Sequence, residues 1–135
     1  AICRDGEGVT KVVKIAVGGA KTVAAAKRVA STIATSNLVK TALFGEDANW
    51  GRVMGALGRS GVPINPDRVT VRFDKVVMVR QGMGTGLAAE RKIAQVFKQK
   101  EFTISVDLGQ GRAAAHMWTT DLSYDYVRIN ASYRS

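Results

Sequence analysis

The densest cluster of reactive groups in the sequence is residues 44–52. It places two carboxylates (Glu46 and Asp47), an amide (Asn49), an indole (Trp50) and a guanidinium (Arg52) within nine residues. Apolar sequence precedes it and a helical pattern follows it, so we predict a strand-to-helix connection. Functional groups collect at such connections because the scaffold fixes the loop while the side chains stay accessible. A purely structural interpretation, in which an acid or amide caps the following helix, explains the same residue types equally well.

The composition is that of a globular domain with a strongly basic balance. The chain has 135 residues, of which 46% are apolar and 23% charged, and its formal net charge is +9. Such a charge is compatible with nucleic acid, an anionic substrate or an acidic partner chain. The positive residues are scattered and form no block of like charges. We therefore favour a basic surface, or the basic part of a larger assembly, over a dedicated nucleic-acid site.

The sequence gives no sign of a membrane or metal partner. No apolar run approaches the roughly 20 residues of a membrane span, and no signal peptide is recognisable. The single cysteine, Cys3, fits a reducing compartment. We expect a cytoplasmic protein. No Cys/His/acid cluster has metal-ligand spacing, and the only histidine, His116, is either a catalytic base or, more commonly for a lone strand histidine, packed or solvated.

Hydrophobic periodicity predicts a single α/β (α+β mixed) domain over residues 1–135, with a mixed β-sheet and helices packed on it. The predicted order is β-α-β-α-β-β-α-β-β-α. The predicted strands are 9–17, 38–43, 69–73, 76–80, 102–108 and a returning strand through 114–120; the predicted helices are 21–35, 49–59, about 89–97 and one after Asp121.

Glycine clusters mark two further places. The Gly-rich segment 82–86 matches neither dinucleotide nor P-loop spacing, so we predict a flexible loop rather than a phosphate cradle. Gly51, Gly55 and Gly58 share one face of the predicted helix 49–59. Because each glycine costs a helix about 1 kcal/mol relative to alanine, three on one face predict close backbone contact with another element.

Two terminal segments carry polar groups in distinctive settings. Glu7 lies in a Gly-flanked acidic turn, where glycine permits close approach of another chain or a ligand, or simply a tight connection. Asn130 shares a helical face with Tyr126 and Tyr133. A buried structural amide is the alternative to a binding role.

Three segments taken together resemble a known family. Residues 5–11, 40–52 and 125–133, in this order, closely resemble the C-terminal part of the β chain of ornithine acetyltransferases, the glutamate N-acetyltransferases of arginine biosynthesis. The resemblance runs from about residue 2 to residue 135 and is loosest at 74–100. It implies a precursor that cleaves itself before a threonine, which becomes the N-terminus of the β chain and the nucleophile.

The resemblance also implies the reaction. The threonine takes an acetyl group from N-acetylornithine and passes it to glutamate, which is covalent catalysis in two half-reactions assisted by an oxyanion hole. We expect no cofactor and no metal in this chain. The implied partners are an α chain and the missing N-terminal part of the β chain, in αβ units that associate further.

Residue by residue, the resemblance assigns substrate binding to Glu7, Asn130 and Ser135. A carboxylate can receive the ammonium of N-acetylornithine, while amide and hydroxyl donors can bind its carboxylate, in charge-assisted contacts worth roughly 1.5–3 kcal/mol each. Because the chain begins at Ala1 rather than threonine, we expect no catalytic residue in it and no activity from it alone. The resemblance leaves open whether the polar residues of 44–52 contact substrate or brace the fold. The alternative function is a basic nucleic-acid-binding or assembly module.

Overall fold

The computed structural model describes residues 11–120, which form a six-stranded mixed sheet with four α-helices. The fold class predicted from the sequence is confirmed. The strands are β1 (Val12–Ala20), β2 (Thr70–Phe73), β3 (Val76–Arg80), β4 (Met83–Gly84), β5 (Glu101–Asp107) and β6 (Ala113–Thr120). The helices are α1 (Val23–Ala34), α2 (Asn37–Phe44), α3 (Trp50–Gly58) and α4 (Leu87–Val96), with a short 3-10 helix at Pro66–Arg68.

The sheet has the strand order β4-β3-β2-β5-β1-β6. Its central pair, β1 and β5, is parallel, and all other neighbours are antiparallel. The hairpin predicted at Asp74 joins β2 to β3, and Asp74 adopts the left-handed conformation (φ 52°) that such a turn needs. The predicted returning strand is β6, which pairs with β1 rather than with β5.

One predicted strand is wrong. Residues 38–43 lie in helix α2, which buries Val39, Ala42 and Leu43 at helical spacing. The Ser36 hydroxyl caps the helix by accepting a hydrogen bond from the Val39 backbone N–H at 3.2 Å. A short apolar run fits a buried strand or a buried helix equally well, and here the cap decides the outcome. The helix predicted after Asp121 lies outside the described residues.

Helices α1 and α4 pack on one face of the sheet, and α2 and α3 pack against α1. Alternate residues of β1 and β5, such as Val13, Ile15 and Ile104, are completely buried beneath them. Phe97, which follows α4, packs edge-to-face against Phe73 of β2 with ring centroids 5.5 Å apart. The apolar alternation that predicted these strands thus marks the helix-covered face.

Within residues 11–120, no helix is long and apolar enough to cross a bilayer. The same residues hold no group of three or more histidine, cysteine or acidic side chains that could bind a metal ion.

Candidate functional site

The polar segment 44–52 connects α2 to α3, so it is a helix-to-helix rather than a strand-to-helix connection. Asn49 caps α3: its side-chain oxygen accepts from the Arg52 backbone N–H at 3.1 Å. The Asn49 amide also donates to Asp47 Oδ2 at 3.3 Å. Glu46 occupies the left-handed region (φ 55°), which reverses the chain after α2. The capping interpretation of this segment is therefore confirmed for Asn49.

The two remaining charged residues of the segment brace it against its neighbours. Glu46 Oε2 forms an ion pair with Lys11 Nζ at 2.9 Å. The same ammonium donates to the Phe97 carbonyl oxygen at 2.6 Å, so Lys11 ties the start of β1 to the segment and to the end of α4. The Arg52 guanidinium donates to the Leu38 carbonyl oxygen at 3.1 Å and links α3 back to α2.

Trp50 connects this segment to the Gly-rich loop. Its indole lies directly over Gly84, where an added Cβ would come within 2.8 Å of Cε2 and still closer to Nε1. Part of the loop is ordered as the short strand β4, which pairs with the end of β3. Gly84 is thus required for close packing against the indole, and no phosphate need be invoked for it.

The glycine face of α3 behaves differently. An added Cβ at Gly58 would meet nothing within 4 Å, and at Gly51 and Gly55 it would meet only the nearby side chains of Asn49 and Arg59. The close contact predicted from these glycines is not found among residues 11–120.

The three substrate-binding residues assigned from the sequence, Glu7, Asn130 and Ser135, lie outside the described residues. Within the described residues, Val12 at the start of β1 is the register partner of Thr120 at the end of β6.

Two adjacent threonines at this end of β6 differ in their hydrogen bonding. The Thr119 hydroxyl, on the helix-covered side, donates to the Ala34 carbonyl oxygen at 2.6 Å. Thr120 is buried on the opposite side, and its hydroxyl finds no partner among residues 11–120. A buried unpaired hydroxyl is rare, since it loses its hydration without compensation.

The face of the sheet opposite the helices is open and basic. Arg72, Ser105, Ala16 and His116 are register partners across four neighbouring strands, β2, β5, β1 and β6. Together with Lys14 they line a shallow depression of about 400 Å³. His116 is exposed, and its side chain makes no hydrogen bond or ion pair within the described chain. The sequence analysis did not predict that Lys14, Arg72 and His116 share one face, because their proximity depends on strand pairing.

Comparison with known proteins shows that the chain is similar to proteins of arginine biosynthesis. Among similar proteins are those described as "Arginine biosynthesis bifunctional protein ArgJ" from Syntrophotalea carbinolica (50% identical), Geobacter sulfurreducens (52%) and Staphylococcus aureus (48%). Each match covers 99–100% of this chain and 32–34% of the relative. The chain therefore spans about a third of the length of these relatives.

The ArgJ family model matches residues 1–135, and the chain belongs to the ArgJ family. The structure is also similar to the crystal structure of arginine biosynthesis bifunctional protein ArgJ from Bacillus halodurans. The TM-score is 0.83 and the sequence identity 42%, over 98% of this chain and 62% of that one. The resemblance drawn from the three sequence segments is confirmed.

Proposed function

We propose that this chain is the C-terminal part of the β chain of a cytoplasmic glutamate N-acetyltransferase that moves acetyl from N-acetylornithine to glutamate. The observation that carries the proposal is the ArgJ family match over residues 1–135, with relatives about half identical to the chain. Those relatives are described as arginine biosynthesis proteins, and acetyl transfer between these two amino acids is the chemistry that the resemblance implies.

The lengths of the similar proteins support a precursor that is divided in two. This chain covers 34% of the Syntrophotalea relative but 62% of the solved Bacillus chain, so the solved chain is only about half as long. A self-cleaving precursor accounts for that difference, because each product is shorter than the gene product. In the proposed assembly, this chain pairs with an α chain and with the N-terminal part of the β chain.

The proposed reaction proceeds in two balanced half-reactions. The threonine hydroxyl attacks the acetyl carbonyl of N-acetylornithine, the threonine α-amine receives the hydroxyl proton, and the C–N bond breaks as ornithine leaves with that proton. The glutamate amine then attacks the acetyl-threonine ester, and the threonine hydroxyl is regenerated. All these reacting groups belong to the complete enzyme outside this chain, whose own proposed contribution is substrate binding.

We assign that binding to Glu7, Asn130 and Ser135. A carboxylate suits the substrate ammonium, and an amide and a hydroxyl suit its carboxylate. The pairing of Val12 with Thr120 supports a shared site, since Val12 follows Glu7 by five residues and Thr120 precedes Asn130 by ten.

The test uses the full-length gene product. Glu7→Ala and Asn130→Ala should each raise KM for N-acetylornithine about tenfold or more, because each removes a charge-assisted contact of about 1.5–3 kcal/mol. Glu90→Ala and Gln95→Ala, at exposed positions on α4, are the matched controls and should leave KM unchanged. Unchanged KM and kcat in both test variants would remove the site assignment.

A further inference from the structure

Lys11, which immediately precedes β1, joins three parts of the fold through its ammonium. Its Nζ forms an ion pair with Glu46 Oε2 at 2.9 Å and donates to the Phe97 carbonyl oxygen at 2.6 Å. One partner lies in the connection between α2 and α3, and the other directly follows α4. The Lys11 side chain is only 14% exposed. A cation that is largely buried and bonded to two distant groups fixes the chain at this point, because moving it would leave a buried charge unpaired.

The Phe97 carbonyl is a favourable acceptor for this cation. Phe97 is the C-cap of α4, and the last carbonyl groups of a helix have no partner within the helix. They also carry the negative end of the helix dipole, which attracts a positive charge. Nearby, the Val12 backbone N–H donates to the Lys100 carbonyl oxygen at 2.8 Å. The start of β1 is therefore tied to the end of α4 by main chain and side chain together.

Glu46 binds the ammonium from a backbone conformation that is unfavourable for a glutamate. It follows Gly45, the C-cap of α2, and has φ 55°. Its N–H donates to the Leu43 carbonyl at 3.2 Å, and the Asp47 N–H donates to the Ala42 carbonyl at 2.8 Å. This is the Schellman pattern of helix termination, in which the left-handed residue is usually glycine.

The glycine of this helix end stands one residue too early to relieve the strain. Gly45 has φ −82°, so its left-handed freedom is not used there. Glu46 takes the left-handed position instead, with the steric cost that a side chain brings to it. Backbone strain of this kind persists where the surrounding contacts hold it, and it often marks a side chain with a function. The contact that accounts for a carboxylate at this position is the ion pair with Lys11.

The chain that Lys11 anchors leads to a residue of the proposed substrate site. Glu7 precedes Lys11 by four residues and stands between Gly6 and Gly8 in the sequence. Because glycine restricts the backbone angles little, such a segment depends on the point at which the chain is fixed. A binding group must be held within about 0.5 Å of its productive position by the residues that support it.

We infer that Lys11 and Glu46 are positioning residues of the substrate site: their ion pair fixes the start of β1 so that the Glu7 carboxylate meets the substrate ammonium. In this role neither side chain touches the substrate. The inference rests on the proposed function in taking Glu7 as the residue that binds this ammonium. It gives the carboxylate of segment 44–52 a role in binding that capping of α3 by Asn49 does not supply.

The first experiment compares Glu46→Gly with unmodified full-length enzyme. Glycine relieves the left-handed strain while it removes the carboxylate, so the midpoint of thermal unfolding should move by less than about 2 °C. KM for N-acetylornithine should rise about fivefold with kcat within about twofold of the unmodified value, because only binding is impaired. An unchanged KM would overturn the inference.

Gln81→Gly is the matched control for the backbone change. Gln81 is also left-handed (φ 52°), is exposed, and its side chain makes no hydrogen bond within residues 11–120. Its replacement relieves the same strain without removing a contact, so KM for N-acetylornithine should stay the same. A KM raised equally in Gln81→Gly and Glu46→Gly would attribute the effect to the backbone and contradict a role for the carboxylate.

A double-mutant cycle separates positioning from direct contact. Glu7→Ala alone should raise KM, and adding Glu46→Gly to it should change KM by less than about twofold, because a positioning residue acts only through the group that it positions. A further rise of about fivefold in the double variant would show that Glu46 acts independently of Glu7. That result would overturn the inference and leave the assignment of Glu7 intact.

Lys11 provides the conservative comparison. Lys11→Met removes the ammonium and should raise KM about as much as Glu46→Gly, whereas Lys11→Arg keeps a charged donor and should stay within about twofold of the unmodified enzyme. Equal losses in the two variants would contradict a role for the charge. Unmodified enzyme that transfers acetyl while Glu46→Gly keeps a normal KM rejects only this inference. Unmodified enzyme that transfers no acetyl rejects the proposed function and the inference with it.

Discussion

The two faces of the same sheet are built from alternating residues of the same strands, yet they differ completely. In β1, Val13, Ile15 and Val17 are at most 1% exposed beneath the helices, whereas Lys14 and Ala16 between them face the open side. The covered face follows from this chain alone, because its apolar residues and its helices are all present. On the open face, the side chains of Lys14 and His116 make no hydrogen bond or ion pair within residues 11–120. The same strands therefore present an apolar core on one side and a polar surface on the other.

The largest loss of stability should follow from truncating a core aromatic residue, and truncating the adjacent residue on the open face should have almost no effect. Phe73, 2% exposed, packs against Phe97 and Phe102, so Phe73→Ala should lower the free energy of unfolding of this chain by about 3–5 kcal/mol. Arg72→Ala, on the open face of the sheet opposite the helices, should change it by less than about 0.5 kcal/mol. Urea unfolding of the two variants measures both. Comparable losses would show that the two faces are not distinct.

Two glycines, Gly84 and Gly55, differ in whether an added methyl group would meet a packed side chain. Gly84→Ala places a methyl group against the Trp50 indole and should destabilise the chain by about 1–3 kcal/mol. Gly55→Ala meets no such obstacle and should stabilise α3 by up to about 1 kcal/mol. Thermal unfolding followed by circular dichroism distinguishes the two signs. A stabilising Gly84→Ala would mean that the indole does not pack over this loop.

Adjacent threonines offer the closest comparison of the faces. Thr119→Val removes the hydrogen bond to the Ala34 carbonyl and should cost about 1–2 kcal/mol. Thr120→Val removes a hydroxyl without a partner in residues 11–120 and should be neutral or slightly stabilising in this chain. Denaturant midpoints of the two variants provide the measurement. A larger loss at Thr120 would reveal a hydrogen-bond partner outside the described residues.

The smallest effect concerns the polar segment 44–52. Asn49→Ala removes the cap of α3 and should lower the free energy of unfolding by about 1 kcal/mol. In the full-length enzyme it should leave KM for N-acetylornithine unchanged, because its contacts are structural. Denaturant unfolding measures the loss of stability, and steady-state kinetics measures KM. A raised KM with unaltered stability would place Asn49 in the substrate pocket.

Much of the fold could be predicted because alternation is a local property. The strand around Ile104 alternates apolar and polar residues without interruption, and the structure places β5 there. The strand predicted at residues 38–43 is wrong because six residues are too few to distinguish the helical period of 3.6 from the strand period of 2. The Ser36 side chain caps a helix there by accepting from the Val39 backbone N–H. Lys11, which immediately precedes β1, has an ammonium that donates to the Glu46 carboxylate and to the Phe97 carbonyl oxygen, two contacts that no local pattern predicts.

For the candidate site, too, features carried by local sequence could be predicted and features that depend on strand pairing could not. The family, and with it Glu7, Asn130 and Ser135 as proposed binding residues, came from short segments that can be recognised in sequence. The open basic face could not be predicted in this way, since Arg72 and His116 are 44 positions apart and share a face only through the pairing of four strands. The open basic face is formed by the register of strand pairing, which a local sequence pattern does not specify.

The most direct test of the proposed function is acetyl transfer from N-acetylornithine to glutamate by the full-length gene product, with the 135-residue chain assayed beside it. We expect N-acetylglutamate and ornithine from the full-length protein and no turnover from the chain alone. We also expect an acetyl group trapped on an N-terminal threonine when glutamate is withheld. No transfer by a correctly cleaved full-length protein would contradict the proposed reaction, and turnover by the isolated chain would contradict its role as a binding part.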